Sequence, residues 1–137
     1  MAWTYATLAI GTKESTSKTI TDEDVRLFAQ VTTDHNPLHL DEEYAKKTIF
    51  GRRIAHGMIS AGLISAVLGT KLPGEGTIYM GQELKFKRPV FIGDTVTAWV
   101  EVIEKDDAKK RLVLHTWVEK EDGTVVTDGQ ARVQFDK

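Results

Sequence analysis

The sequence predicts an α+β domain in which an antiparallel sheet wraps around a buried central helix. Residues 57–68 are all glycine, serine or apolar, and from residue 77 onward apolar and polar residues alternate in several segments. A helix that is apolar on all sides belongs in a protein interior, and runs of helix followed by runs of strand are typical of α+β folds. The 137 residues fit a single domain, residues 1–137.

The first third of the chain is expected to contain two short extended pieces followed by helices. The extended pieces lie in residues 4–20, around the segment "GTKES". Thr21 is a helix N-cap with Asp24 three residues later, which is an acidic variant of the capping box. Apolar residues then recur at helical spacing through "DEDVRLFAQVTT", and Asp41 is expected to cap a short helix through "EEYAKK".

Four antiparallel strands are expected after the buried helix. In "DTVTAWVEVI" and "KRLVLHTWVEK" alternate residues share one face, so each strand presents that face to a core. Leu84 and Phe86 alternate with charged residues in an earlier strand, which Pro89 ends. Asp122 and Gly123 form a two-residue hairpin signal between the last two strands.

Charge and composition exclude several classes of protein. Eighteen Lys and Arg against twenty Asp and Glu leave a net charge of -2, with both signs mixed along the chain, which argues against nucleic-acid or anionic-membrane binding. The absence of cysteine excludes disulfides and thiolate metal sites. The N-terminus lacks a signal-peptide pattern, and no segment reaches the ~18 apolar residues of a membrane span, so the cytoplasm is the expected location.

The segment "TTDHNPLHLD", residues 32–41, is the candidate reactive loop. A carboxylate and an imidazole held on one rigid loop can share general acid–base work, and Pro37 braces such a loop by fixing its own φ and restricting Asn36. The alternative interpretation is that Asp34 and Asn36 merely cap or turn the chain and that His39 is a packed histidine. No metal site is predicted, because Pro37 interrupts the helical spacing between the nearest histidines.

Three ordered motifs resemble the MaoC-like family of (R)-specific, or type 2, enoyl-CoA hydratases. They are "FAQVTTDHNPLH" followed after five residues by Ala45, "IAHGMISAGLIS" and "YMGQELKFKRPVFIGDTV", which together span roughly residues 22–103. The resemblance implies a hot-dog fold, a homodimer or higher homo-oligomer, no cofactor, and an acyl thioester of coenzyme A or of acyl carrier protein as substrate. The sequence departs from the family at Thr33, where glycine is usual, and at Arg53, where proline is common.

The same resemblance assigns roles to individual residues. It implies a catalytic pair of Asp34 and His39, an oxyanion hole at the backbone N–H of Gly57, and supporting roles for Ser65 and Asn36. For Ser65, a bond back to its own helix is the alternative. His56, next to Gly57, is interpreted as structural before chemical. Most of the nearby basic residues are interpreted as solvated surface, and contact with the phosphates of coenzyme A is the alternative: Arg52, Arg53, Lys85, Lys87 and Arg88.

The expected reaction is addition of water across a trans-2-enoyl thioester. Water must lose a proton as it attacks C3, the thioester oxygen must be stabilised as negative charge builds, and C2 must gain a proton. A hot-dog thioesterase is one alternative, although residues 57–70 lack the carboxylate that many of these enzymes carry on the central helix. A non-catalytic acyl-CoA-binding regulatory protein is the other, but binding by itself needs no acid–base pair.

Overall fold

Five antiparallel strands form one sheet in the computed structural model, which describes residues 2–137. The strands are β1 Lys13–Thr19, β2 Ile78–Phe86, β3 Thr95–Asp106, β4 Arg111–Lys120 and β5 Val125–Gln134. They lie in the order β1-β3-β4-β5-β2, so β1 and β2 are the two edges. The helices are α1 Asp22–Thr32, α2 Pro37–Leu40, α3 Glu42–Ala45 and α4 Gly57–Thr70.

The alternating faces of the central strands form the core, as predicted. Val100 and Val102 on β3 are 0 % exposed, and Leu114 and Val118 on β4 are equally buried. Helix α4 packs against β3, β1 and β4, so the sheet covers the central helix as the sequence pattern indicates. The predicted α+β architecture is therefore confirmed.

In the single chain, helix α4 is buried on one side and exposed on the other. Its residues that face the sheet are buried: Ser60, Ile64, Val67 and Leu68. The opposite side is exposed, with Met58 at 54 %, and it also carries Gly62, Ser65 and Gly69. The prediction that α4 is buried on all sides was wrong for the isolated chain because one sheet covers one side of a helix.

The N-terminal prediction of two extended pieces is wrong for the first piece. Residues Tyr5–Thr7 form a short 3-10 helix, and β1 is the one strand in this region. The N–H of Thr7 donates to the Thr4 hydroxyl and the N–H of Thr4 donates to the Thr7 hydroxyl, which closes the turn. This reciprocal capping was not recognised because it lacks the usual glutamate or glutamine.

Helix starts were predicted better than helix and loop lengths. The capping box of Thr21 and Asp24 is confirmed, and Asp41 caps α3 as predicted. Helix α3 nevertheless ends at Ala45, two residues before the end of "EEYAKK". The last hairpin has a loop of residues 121–124 instead of a two-residue turn. The N–H of Gly123 donates to the Lys120 carbonyl oxygen at 3.0 Å and Gly123 has a φ of 86°, so the glycine follows the turn instead of lying at its centre. Within residues 2–137, no helix combines the length and apolarity needed to cross a membrane.

Candidate active site

The loop that carries Asp34 connects α1 to α2. The N–H of Asp34 donates to the Thr32 hydroxyl at 3.2 Å, and the N–H of Asn36 donates to the Asp34 carboxylate at 3.2 Å. The Asn36 side chain in turn accepts the N–H of Leu38 at 3.1 Å and so caps α2. Both polar side chains thus shape the loop, and the second carboxylate oxygen of Asp34 remains available for chemistry.

Thr33 adopts the left-handed conformation at the end of α1. Its φ is 66° and its ψ is 13°. Glycine is favoured there because a β-branched residue in this region is strained by about 1–3 kcal/mol. The left-handed conformation explains why glycine is usual at position 33 in the family that the sequence resembles. In this chain, Thr33 constrains the backbone directly before Asp34.

His39 lies on α2, which the sequence did not predict. Pro37 occupies the first helical position, where its missing N–H costs nothing, so the proline begins a helical turn here instead of preventing one. The His39 ring is buried, and its Nδ1 lies 2.7 Å from the carbonyl oxygen of Ile54. A carbonyl oxygen accepts hydrogen bonds, so Nδ1 carries a proton, and in the neutral ring the lone pair is therefore on Nε2. This tautomer suits a proton acceptor.

His56, directly before α4, connects this helix to the loop that carries Asp34. Its Nε2–H donates to the carbonyl oxygen of Asp34 at 3.0 Å, and its ring packs against the His39 ring in a tilted arrangement with centroids 3.9 Å apart. Phe28 covers the ring on another side, at 4.8 Å. Burial lowers the pKa of His56, so it is neutral near pH 7. No partner for its Nδ1 is found within residues 2–137. The structural interpretation of His56 therefore agrees with its contacts.

Asp34, His39 and His56 form one compact cluster. A carboxylate oxygen and one ring nitrogen from each histidine all lie within 4.8 Å of one another. Two hydrogen bonds of about 2.8 Å from one water hold their two acceptors about 4.5 Å apart, so a water fits this gap. A metal ion would have to lie in the plane of each coordinating ring. The two ring centroids are 3.9 Å apart and the planes are tilted by 32°, so the planes meet too far from the ring nitrogens for one ion to lie in both. The cluster suits a polarised water better than a metal ion.

Gly57 begins α4 directly after His56. The backbone N–H groups of the first helical turn have no intrahelical acceptor, and the positive end of the helix dipole adds to their potential. Within residues 2–137, no acceptor for the Gly57 N–H is found. A Cβ at this position would lie 2.8 Å from the Phe86 ring, so the absence of a side chain keeps the approach to this N–H open.

A cavity of about 380 Å³ joins the histidine side of the cluster to the start of α4. Its walls include His39, Gly57 and Ser60 together with several apolar side chains. Lys87 and Arg88 also line it, whereas Lys85 lies on another surface beside His115. The structure therefore separates the basic residues that are near the site from those that are not.

Ser65 is not brought to this cluster within a single chain. It lies on the exposed side of α4, and no hydrogen bond from its hydroxyl is found in residues 2–137. Its supporting role stays a prediction. The sequence did not predict the buried contacts of Arg53, whose side chain is 13 % exposed and whose Nε–H donates to the backbone carbonyl oxygen of His39. A charged residue next to the apolar start of "IAHGMIS" was the available signal.

Comparison with known proteins points to one family. The family model described as MaoC like domain matches residues 6–124. The chain is 53 % identical over 123 residues to an (R)-specific enoyl-CoA hydratase of Rhodospirillum rubrum, covering 90 % of this chain and 85 % of that protein. It is 47 % identical over 133 residues to a 3-hydroxybutyryl-CoA dehydratase of Methylorubrum extorquens, covering 97 % and 84 %.

A solved structure agrees with the sequence comparisons. The unliganded R-hydratase of Pseudomonas aeruginosa superposes with a TM-score of 0.92 at 46 % identity, covering 98 % of this chain and 86 % of that one. The hot-dog fold implied by the three sequence motifs is thereby confirmed.

Proposed function

Because the chain belongs to the MaoC-like domain family, we propose that it is an (R)-specific enoyl-CoA hydratase, a hydro-lyase that also runs the reverse dehydration. The observation that carries this proposal is the cluster of Asp34 and His39 beside the free N–H of Gly57. The relatives above are named for CoA thioesters, which makes an acyl-CoA the proposed substrate. An acyl carrier protein thioester remains the alternative carrier, and the cytoplasm remains the proposed location.

In the proposed mechanism, Asp34 and His39 hold one water between them. The Asp34 carboxylate and the Nε2 lone pair of His39 accept its protons in hydrogen bonds, and one of them takes a proton as the oxygen attacks C3. The electron pair of the double bond moves toward the thioester oxygen, and the same acid–base pair returns a proton to C2. Water is added without any change of oxidation state overall and without a cofactor.

Gly57 is the proposed oxyanion donor. Negative charge builds on the thioester oxygen as the C3–O bond forms, and a backbone N–H at a helix start stabilises it without reorganising. The neighbouring His56 joins the start of α4 to the backbone of Asp34 by one hydrogen bond. Asn36 supports the pair by capping α2, and Ser65 is retained as a supporting residue on the exposed side of α4.

The activity assay separates this proposal from the other hot-dog functions. Purified protein treated with EDTA should convert crotonyl-CoA to 3-hydroxybutyryl-CoA, measured by loss of enoyl absorbance, with the (R) product identified by chiral chromatography. Release of free coenzyme A without a hydrated product would establish a thioesterase instead. Binding of crotonyl-CoA in calorimetry with no turnover would identify a non-catalytic binding protein.

We also propose that the working unit is a homodimer or a larger homo-oligomer. The edge strand β2 exposes Ile78 at 55 % and Met80 at 48 %, and the outer side of α4 exposes Met58. An exposed sheet edge with apolar side chains is a typical site of pairing with another chain. A second copy would cover the β2 edge and the outer side of α4. Asp34 is also exposed in the single chain, which leaves its carboxylate open to water.

Light scattering coupled to gel filtration tests this proposal. We expect a mass of at least twice the 15.3 kDa of one chain at assay concentrations. Met80→Lys, on the β2 edge, should lower that mass and reduce activity in parallel, because a charge opposes burial of the edge. A wild-type monomer with full activity would contradict it.

A further inference from the structure

Arg53 is the residue that joins the reactive helix α2 to the rest of the fold. Its Nε–H donates to the backbone carbonyl oxygen of His39 at 2.7 Å. Its Nη2–H donates to an Asp22 carboxylate oxygen at 2.6 Å. The side chain is 13 % exposed, so the guanidinium is committed to these two partners and is not part of the solvated basic surface. The Arg53 guanidinium therefore connects the start of α1 to helix α2.

Asp22 keeps the guanidinium in place. One carboxylate oxygen accepts from Arg53, and the other accepts from Nε of Arg26 at 2.9 Å. Hydrogen bonds from Arg53 and then from Arg26 lower the pKa of Asp22, so it is ionised throughout the neutral range. The bond to His39 thus depends on a charged residue that is 31 positions away from Arg53 in the chain.

Helix α2 needs such external bonds because it has a single turn. Its last carbonyl groups have no intrahelical donors, and one turn is not stable by itself. Two bonds to Ile54 add to the one from Arg53: the N–H of Ile54 donates to Leu38 O at 3.4 Å, and Nδ1 of His39 donates to Ile54 O at 2.7 Å. Residues 53 and 54 therefore hold both the backbone and the ring of His39.

We propose that Arg53 is a positioning residue for His39, acting through its carbonyl oxygen, with Asp22 orienting Arg53. By fixing the α2 backbone it keeps Nδ1–H of His39 on Ile54 O, so that the Nε2 lone pair faces the reacting water. The catalytic consequence rests on the proposed hydratase function, whereas the effect on the His39 ring does not. Lysine cannot replace Arg53, because one ammonium group lacks the fork that meets both partners.

The kinetic test uses Arg53→Lys, Arg53→Gln and Asp22→Asn. We expect kcat with crotonyl-CoA to fall about tenfold to a hundredfold for both Arg53 variants, since a small displacement of a catalytic group costs this much, while KM changes less than about twofold. Asp22→Asn should show a smaller loss, and adding it to Arg53→Gln should cost nothing further. Arg26→Gln is the matched control, because it removes the other Asp22 partner and leaves His39 untouched, so its kcat should equal that of wild type.

Long-range proton–nitrogen NMR of the histidine rings tests the same inference without turnover. In its neutral form, wild-type His39 should be a single tautomer protonated at Nδ1, and the Arg53 variants should show a mixture of the two neutral tautomers. A folded Arg53→Gln with wild-type kcat and an unchanged His39 tautomer overturns the proposal, even if its melting temperature falls. If Arg53→Gln does not fold, Asp22→Asn decides by the same readouts. If wild type does not hydrate crotonyl-CoA, the proposed function fails, while the tautomer comparison still decides the role of Arg53.

Discussion

Asp34→Asn and His39→Gln should each lower kcat by about 10²–10⁴, because each removes one of the two groups that handle the protons of water. KM should change little, since neither residue is proposed to anchor the coenzyme. If the two residues activate one water together, their losses do not add, and the double variant should be scarcely slower than either single variant. Steady-state kinetics on the three variants, with the folded fraction checked by circular dichroism, measures this.

The structure makes Asp34→Asn a clean test against the capping interpretation. The Asn36 N–H bonds to one carboxylate oxygen of Asp34, and asparagine keeps an oxygen acceptor in the same place. The loop should therefore survive, with a change in melting temperature of at most a few degrees. His35→Gln, on the exposed neighbouring residue, is the control and should keep most of the activity. A destabilised Asp34→Asn with wild-type kcat would show that the loop has a structural role alone.

Gly57→Pro should lower kcat by about 10²–10³, the usual cost of removing one oxyanion donor. Proline is well tolerated at the first position of a helix, and Gly57 occupies that position in α4. The preceding residue, His56, has φ -59° and ψ 131°, an extended conformation that a following proline favours. The substitution therefore removes the N–H while the helix is retained.

Gly57→Ala separates the loss of the N–H from the effect of added bulk. Both variants place a Cβ about 2.8 Å from the Phe86 ring, but alanine keeps the N–H. Phe86 is exposed and can turn away, so we expect Gly57→Ala to be affected much less than Gly57→Pro. Equal losses in kcat would mean that the lost activity comes from the clash with Phe86, and the oxyanion assignment of Gly57 would then be abandoned.

The architecture and the position of the reactive loop were predictable because they follow from local patterns. Alternation in β3 and β4 reports which side of a strand is buried, and the buried valines of β3 follow it. Asp34, Asn36 and His39 lie within one short stretch of chain, so the local turn determines much of their geometry. The three motifs identified the family for the same reason, because each is contiguous in sequence.

The single chain leaves half of α4 uncovered, which composition did not reveal. An apolar helix has the same sequence pattern whether one sheet covers it or a sheet and a second chain do so together. Whether Met58 and Ser65 are exposed depends on what packs against the outer side of α4, which the sequence pattern of the helix does not specify.

By itself, the sequence determined the α+β class and the family, and it predicted the residues that are proposed to take part in the reaction. Tertiary structure alone decided how these residues are held: His56 lies 22 positions from Asp34, and Arg53 lies 31 positions from Asp22, yet each pair shares a hydrogen bond. Helical and strand periodicity describe which face of one element is buried. They carry no information about the distance between two elements, and that distance places the His56 imidazole and the buried Arg53 guanidinium next to His39.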